Sequence, residues 1–221
     1  MLKHLETINA TKTRTFFLFL VPITLIAIIT NSLINTPFDN FQAAIAAIPV
    51  VASFLIVLVT SNWIAGDIDN NIAQLLLVKN SSRKDYVVNR MKGVYLLALL
   101  VTILYILAAV VVCPPEKLSE FILIFNPIFV SIVYATGASA LSFIFKNSII
   151  SVSTVLFFIF LWEPILGTLS DNPIVISLLS PESHISKVAS ASASVFNYGF
   201  CILFIVVGLF ICHAVFKKSR I

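Results

Sequence analysis

"DIDNNIAQLLLVKNSSRKDYVVNRMKG", residues 67–93, is the most polar long stretch in a chain that is otherwise almost entirely apolar. It holds five of the fourteen Lys and Arg residues, yet Leu75 to Val78 form an apolar run inside it. Apolar runs of about 20 residues flank it on both sides, the length an α-helix needs to cross hydrocarbon. A charged segment held between two such runs belongs at a membrane surface. Its side of the membrane then fixes how the rest of the chain threads the bilayer.

Composition points the same way. Of 221 residues, 59% are hydrophobic and 11% charged, where a soluble domain carries about a quarter charged residues. The net charge of +4 is small and dispersed, which gives no footing for nucleic acid. Cys113, Cys201 and Cys212 all lie in or beside apolar runs. Their odd number, with no CxxC and no His at ligand spacing, supports neither a disulfide framework nor a zinc site. They read as small buried hydrophobes.

Hydropathy places spans at about 15–34, 42–62, 93–113, 121–145, 148–169 and 196–216. The first resembles a signal peptide only superficially, since its apolar run exceeds an ordinary h-region; it reads as an uncleaved helix. Pro114 and Pro115 mark the end of the third span. Only "KNS", residues 146–148, separates the fourth from the fifth, which predicts a tight hairpin. With both termini on one side, that side collects Lys3, Lys12, Arg14, Lys79, Arg83, Lys84, Arg90, Lys92, Lys146, Lys217, Lys218 and Arg220. The other side keeps Lys117 and Lys187 alone. Positive residues are retained in the cytoplasm, so the expected topology is six helices with both termini inside. The fold class is an all-α integral membrane protein, a single transmembrane domain over 1–221.

Within the opening stretch, Ile68, Ile72, Leu75, Leu76 and Lys79 share one face of a 3.6-residue helix. Asp67 and Asp69 at its start, and Lys79, Arg83 and Lys84 at its end, complement the helix dipole. The periodicity predicts a helix over 67–79, ended by "NSS" at 80–82, with Ser82 capping a second helix into the third span. It reads either as an element resting on anionic membrane lipid or as a docking element for another protein.

The stretch resembles the cytoplasmic coupling loop of the ABC-2 family of ABC transporter permeases. Asp67 stands for the family's acid, "QLLLV" at 74–78 for its Leu-rich segment, "SSR" at 81–83 for its turn and Lys92 for its final Lys. Asn71 and Ile72 depart from the usual Gly-Thr, and Asn80 from the usual Pro. The layout of the whole chain is similar too. "MLKHLETINATKT" places Leu2, Leu5 and Ile8 on one stripe, like the family's N-terminal interfacial helix, and Ser170 to Val195 matches its short extracellular helices between spans five and six. The resemblance implies a permease subunit of an ATP-driven exporter, pairing with a second permease as a homo- or heterodimer above two ABC ATPase subunits. It implies a multi-pass protein of a bacterial plasma membrane, exporting amphipathic or hydrophobic cargo such as membrane-active or antimicrobial peptides. Asp67, Ile68, Ile72, Leu75, Leu76, Lys79 and Arg83 would meet the ATPase.

No GxxxxGK[ST] occurs, so ATP and Mg are expected on the partner ATPase and no cofactor or metal on this chain. HExxH, GxGD and GxSxG are absent as well, which argues against an intramembrane enzyme. The remaining alternative is a membrane scaffold or immunity protein acting by binding, without an ATPase. Glu163 is the lone acid within a span. Counted from Ser148 it lies roughly 22 Å along the helix, toward the outer leaflet. It reads as part of an outer gate with Phe160 and Trp162, or as a solvated interfacial group. Ala135, Ala138, Ser139 and Ser142 form two interleaved small-xxx-small pairs, which predict close packing of the fourth span.

Overall fold

The computed structural model describes residues 41–69, 73, 74, 77, 82–112, 114–169, 172, 180–190 and 192–218. The first span at 15–34, the N-terminal stripe, and Ile72, Leu75, Leu76 and Lys79 lie outside the described residues. What is described folds as helices: α1 (Phe41–Asp69), α2 (Arg83–Val112), a 3₁₀ segment (Leu118–Ile124), α3 (Phe125–Phe145), α4 (Ser148–Phe160), α5 (Trp162–Leu169), α6 (Pro181–Ala189) and α7 (Val195–Lys218).

Four stretches among the described residues are long and apolar enough to cross a membrane: Ala44–Asp69, Arg83–Val111, Glu120–Phe145 and Val195–Lys217. The pair α4 and α5, bent by 51° at Leu161, makes a fifth if it is one broken span. Pro164 accounts for the break. It has no N–H for the carbonyl four residues back, at Phe160, and its ring crowds that carbonyl. Hydrogen bonding resumes around the gap, with Leu161 N donating to Phe157 O at 2.9 Å and Ile165 N to Leu161 O at 3.1 Å.

Two span boundaries differ from the sequence reading for one physical reason. α1 has 29 residues, roughly 43 Å of helix at 1.5 Å per residue, and α2 has 30. Hydrocarbon is only about 30 Å thick. The apolar runs 42–62 and 93–113 mark the part that matches hydrocarbon, and the helices simply continue past it. Asp67 is therefore in the last turn of α1 rather than at the start of a separate helix over 67–79. Beyond it Ala73, Gln74 and Leu77 are helical, with Ala73 fully buried and Leu77 packed against the same core.

α3 is the central helix, packed by α1, α2, α4, α6 and α7. Ala135, Ala138, Ser139 and Ser142 are all fully buried, as their spacing predicts. Ser139 and Ser142 return their hydroxyls to Ala135 O and Ala138 O, so small polar residues can face another helix without an orphaned donor. α2 is joined to α3 by hydroxyl contacts, Thr102 with Ser131 at 2.5 Å and Tyr95 with Thr136 at 2.9 Å. α7 comes close enough to α3 that a Cβ built on Gly208 would sit 2.6 Å from Thr136 Cγ2. The hairpin at 146–147 is tight, with Lys146 in the left-handed region at φ 56°. Asn147 caps α4 by accepting from Ile150 N. Cys201 and Cys212 are buried and free; Cys113 lies outside the described residues.

Candidate functional site

Polar chemistry concentrates at the two ends of the bundle. At one end Asp67, 1% exposed, forms an ion pair with Arg90 and accepts a hydrogen bond from Tyr86 Oη at 3.0 Å. The Arg90 guanidinium lies over the Trp63 ring at 5.2 Å and the Tyr86 ring at 5.7 Å. Tyr86 stacks on Phe216 at 4.8 Å, and Phe216 meets Phe143 edge-on at 5.4 Å. Four helices, α1, α2, α3 and α7, are thereby fastened at the same level. A buried carboxylate needs a partner charge and hydrogen bonds to be tolerated, and both come from the overhanging turns of α2. The pair fixes α2 against α1 at this end of the bundle.

Of the residues named for ATPase contact, Asp67 thus points into the bundle, and Ile68 packs half-buried against the main core. Arg83 is exposed and donates through Nη1 to Lys217 O at 2.8 Å, which ties the start of α2 to the last turn of α7. Ser82 and Asp85 cap α2 reciprocally: Asp85 N donates to Ser82 Oγ at 3.1 Å, and Ser82 Oγ to Asp85 Oδ2 at 2.6 Å. The capping role expected of Ser82 is borne out.

At the opposite end, α6 packs against α3 and α7. It starts with Ser180, whose Oγ accepts from Ser183 N, followed by Pro181 in the first turn, a favourable combination for helix initiation. Glu182, in that turn, receives the Tyr134 hydroxyl at 2.8 Å to each carboxylate oxygen. Glu163 accepts from Ser180 Oγ at 3.3 Å. Burial pushes the Glu182 carboxyl up to about 7, and the neighbouring Glu163 adds to the rise, while the Tyr134 hydrogen bond opposes it. Glu182 can therefore bind and release a proton near neutral pH. On the far face of α6, His184 is 1% exposed, joins Asn197 Oδ1 at 3.0 Å and stacks on Phe200 at 4.2 Å.

Glu163 is thus one of two neighbouring acids, and half-buried. Trp162 packs against Phe157 and Phe158, while Phe160 is 46% exposed just before the bend. Sequence reasoning missed Arg90 as the partner of Asp67, and Tyr134, Ser180 and Glu182 around Glu163. The signals available were the Ser-Pro-Glu start of α6 and a Tyr just before the small-residue run 135–140 of the fourth span. Among the described residues no three His, Cys, Asp or Glu side chains gather in a way that could hold a metal. No protein-family model matches this chain, and no curated protein does either.

Proposed function

We propose that this chain is the transmembrane permease subunit of an ATP-driven exporter of the ABC-2 type, in a bacterial plasma membrane. The observation that carries the reading is the pair of helical overhangs. α1 and α2 run on past their apolar portions and are fastened to each other by Asp67, Arg90 and Tyr86. The segment between them, 70–81, is the one the resemblance assigns to the ATPase, and a coupling element that transmits force needs its two flanking helices fastened to each other. A lipid-resting loop has no need of such bracing.

Charge supports the orientation. Arg83, Arg90, Lys92, Lys146 and Lys217 lie in the turns at one end of the bundle, whereas Lys117 and Lys187 belong to the other. The basic end faces the cytoplasm on the positive-inside rule. Including the apolar run at 15–34, the chain then crosses six times with both termini inside, and α6 is an extracellular helix folded back into the bundle. On this reading ATP and Mg belong to a separate ATPase, present in two copies beneath a dimer of permeases; the lack of a GxxxxGK[ST] in the sequence fits that division of labour. The apolar surface and sparse fixed charge suit amphipathic or hydrophobic cargo, with membrane-active peptides as the leading class.

The test is copurification from native membranes, comparing wild type with Leu75→Glu/Leu76→Glu. A P-loop ATPase that accompanies wild type and is lost from the variant is the expected result. If the folded wild-type protein brings down no ATPase, the export reading fails and a membrane scaffold or immunity role takes its place.

A further inference from the structure

A cavity of about 200 Å³ lies between the first turn of α2 and the last turns of α7, lined by Arg83, Lys84, His213 and Lys217. His213 and Lys217 are four residues apart on α7, so they project from one face. Arg83 is held in place by its bond to Lys217 O, which satisfies a carbonyl left free at the end of the helix. Among the described residues no acid lines the cavity. The nearest in sequence, Asp85, is turned back onto Ser82. Three long cationic side chains and an imidazole gathered around open space repel one another; among the described residues Asp85, next to Lys84, is the acid that eases this, and it is shared with Ser82.

The position of the cavity narrows what would offset it. α7 carries exposed Val206, Val207, Leu209 and Phe210 along its length, and α2 carries exposed Leu96 and Leu100. These are lipid-facing surfaces, and the cavity lies where they give way to charge. That is the depth at which a phospholipid carries its phosphate. Arg supplies a planar fork of donors matched to phosphoryl oxygens, and Lys a mobile ammonium.

We propose that Arg83, Lys84, His213 and Lys217 form a binding site for a phosphoryl anion, in this setting the headgroup of an anionic phospholipid. Occupancy would bear on the end of α7, because Phe216, one residue from Lys217, is stacked between Tyr86 and Phe143 in the Asp67 cluster. The site does not depend on the exporter reading. Any helical membrane protein with this geometry would carry it.

The full chain is reconstituted in nanodiscs of phosphatidylcholine with a minor fraction of labelled phosphatidylglycerol, and retention of the labelled lipid on extraction is measured by native mass spectrometry. Lys84→Gln/His213→Gln leaves the Arg83 contact intact and keeps the helices whole. Wild type should retain phosphatidylglycerol over phosphatidylcholine, and the variant should lose at least about fivefold, the worth of one basic group beside an anionic lipid. Lys92→Gln/Lys146→Gln removes two bases of the same end outside the cavity and should leave retention unchanged. Displacement of the label by millimolar inorganic phosphate would support the site and identify soluble phosphate as its source; no displacement supports the lipid. Equal retention in wild type and the cavity variant, or equal loss in both double variants, would overturn the proposal.

Discussion

Asp67 is the residue on which one end of the bundle turns. Its carboxylate is buried, bound to Arg90 and to the Tyr86 hydroxyl. Removing one partner of a buried pair leaves the other charge uncompensated, which costs 3–5 kcal/mol when both are fully buried. Arg90 is 19% exposed and lies over two aromatic rings, so it has other ways to hold its charge. Asp67→Asn should therefore cost about 2 kcal/mol, measured by reversible denaturant unfolding in mixed micelles. Asp67→Asn/Arg90→Gln should recover about half of the summed single losses, and strictly additive losses would show that the pair is not coupled. Glu182 works in the opposite sense. Its folded value, about 7, lies above the ordinary 4.5, so the folded chain holds a proton that the unfolded chain releases. Between those values stability falls as pH rises, and above about 7 the full burial cost is present. The span amounts to about 3 kcal/mol in order of magnitude. Unfolding midpoints should drop from pH 4.5 to 7 in wild type and stay level in that window in Glu182→Gln. A wild-type profile no steeper than the variant's would place Glu182 in water.

Among elements, the contact of α3 with α7 is close at Gly208. Gly208 lets α7 approach Thr136, and an added methyl would meet Thr136 Cγ2 at 2.6 Å. Overpacking of this kind costs about 1–3 kcal/mol. Gly208→Ala should lower the unfolding midpoint accordingly. Thr136→Ser removes the offending methyl while keeping the hydroxyl that bonds Tyr95, so Gly208→Ala/Thr136→Ser should regain most of the loss. If it does not, the helices are kept close by something other than this contact. The same elements show what a sequence makes legible. Hydropathy located the membrane portions of α1 and α2 because hydrocarbon selects apolar residues, but it said nothing of where the helices stop, since backbone hydrogen bonding continues past the membrane. The break after Phe160 is passed over when 148–169 is read as one span, because hydropathy does not register that Pro164 spoils the carbonyl four residues back. The pairing of Asp67 with Arg90 was not legible, because it depends on how two helices 23 residues apart are phased. Nor was Tyr134 with Glu182, which joins elements 48 residues apart.

For the whole molecule the exporter reading turns on which end faces the cytoplasm, because an ATPase can meet the segment between α1 and α2 only there. The bilayer treats the two ends differently on charge alone, and translocating a cluster of Lys and Arg is disfavoured. Arg83, Arg90, Lys146 and Lys217 at one end, against Lys117 and Lys187 at the other, make the inward orientation of the basic end the expected one. Asn89 is exposed on the α2 overhang, and Lys117 and Lys187 are exposed at the opposite end. Single cysteines at these three positions, in a Cys113→Ser background with Cys201 and Cys212 left buried, report the sidedness directly. A membrane-impermeant maleimide added to intact cells should label Lys117→Cys and Lys187→Cys, and should reach Asn89→Cys only after permeabilisation. The reverse pattern would put the overhangs outside the cell, beyond the reach of any cytoplasmic ATPase, and would end the exporter reading. The cavity between α2 and α7 would survive that result, because its case rests on the cluster of basic side chains around it and not on which leaflet supplies the phosphate.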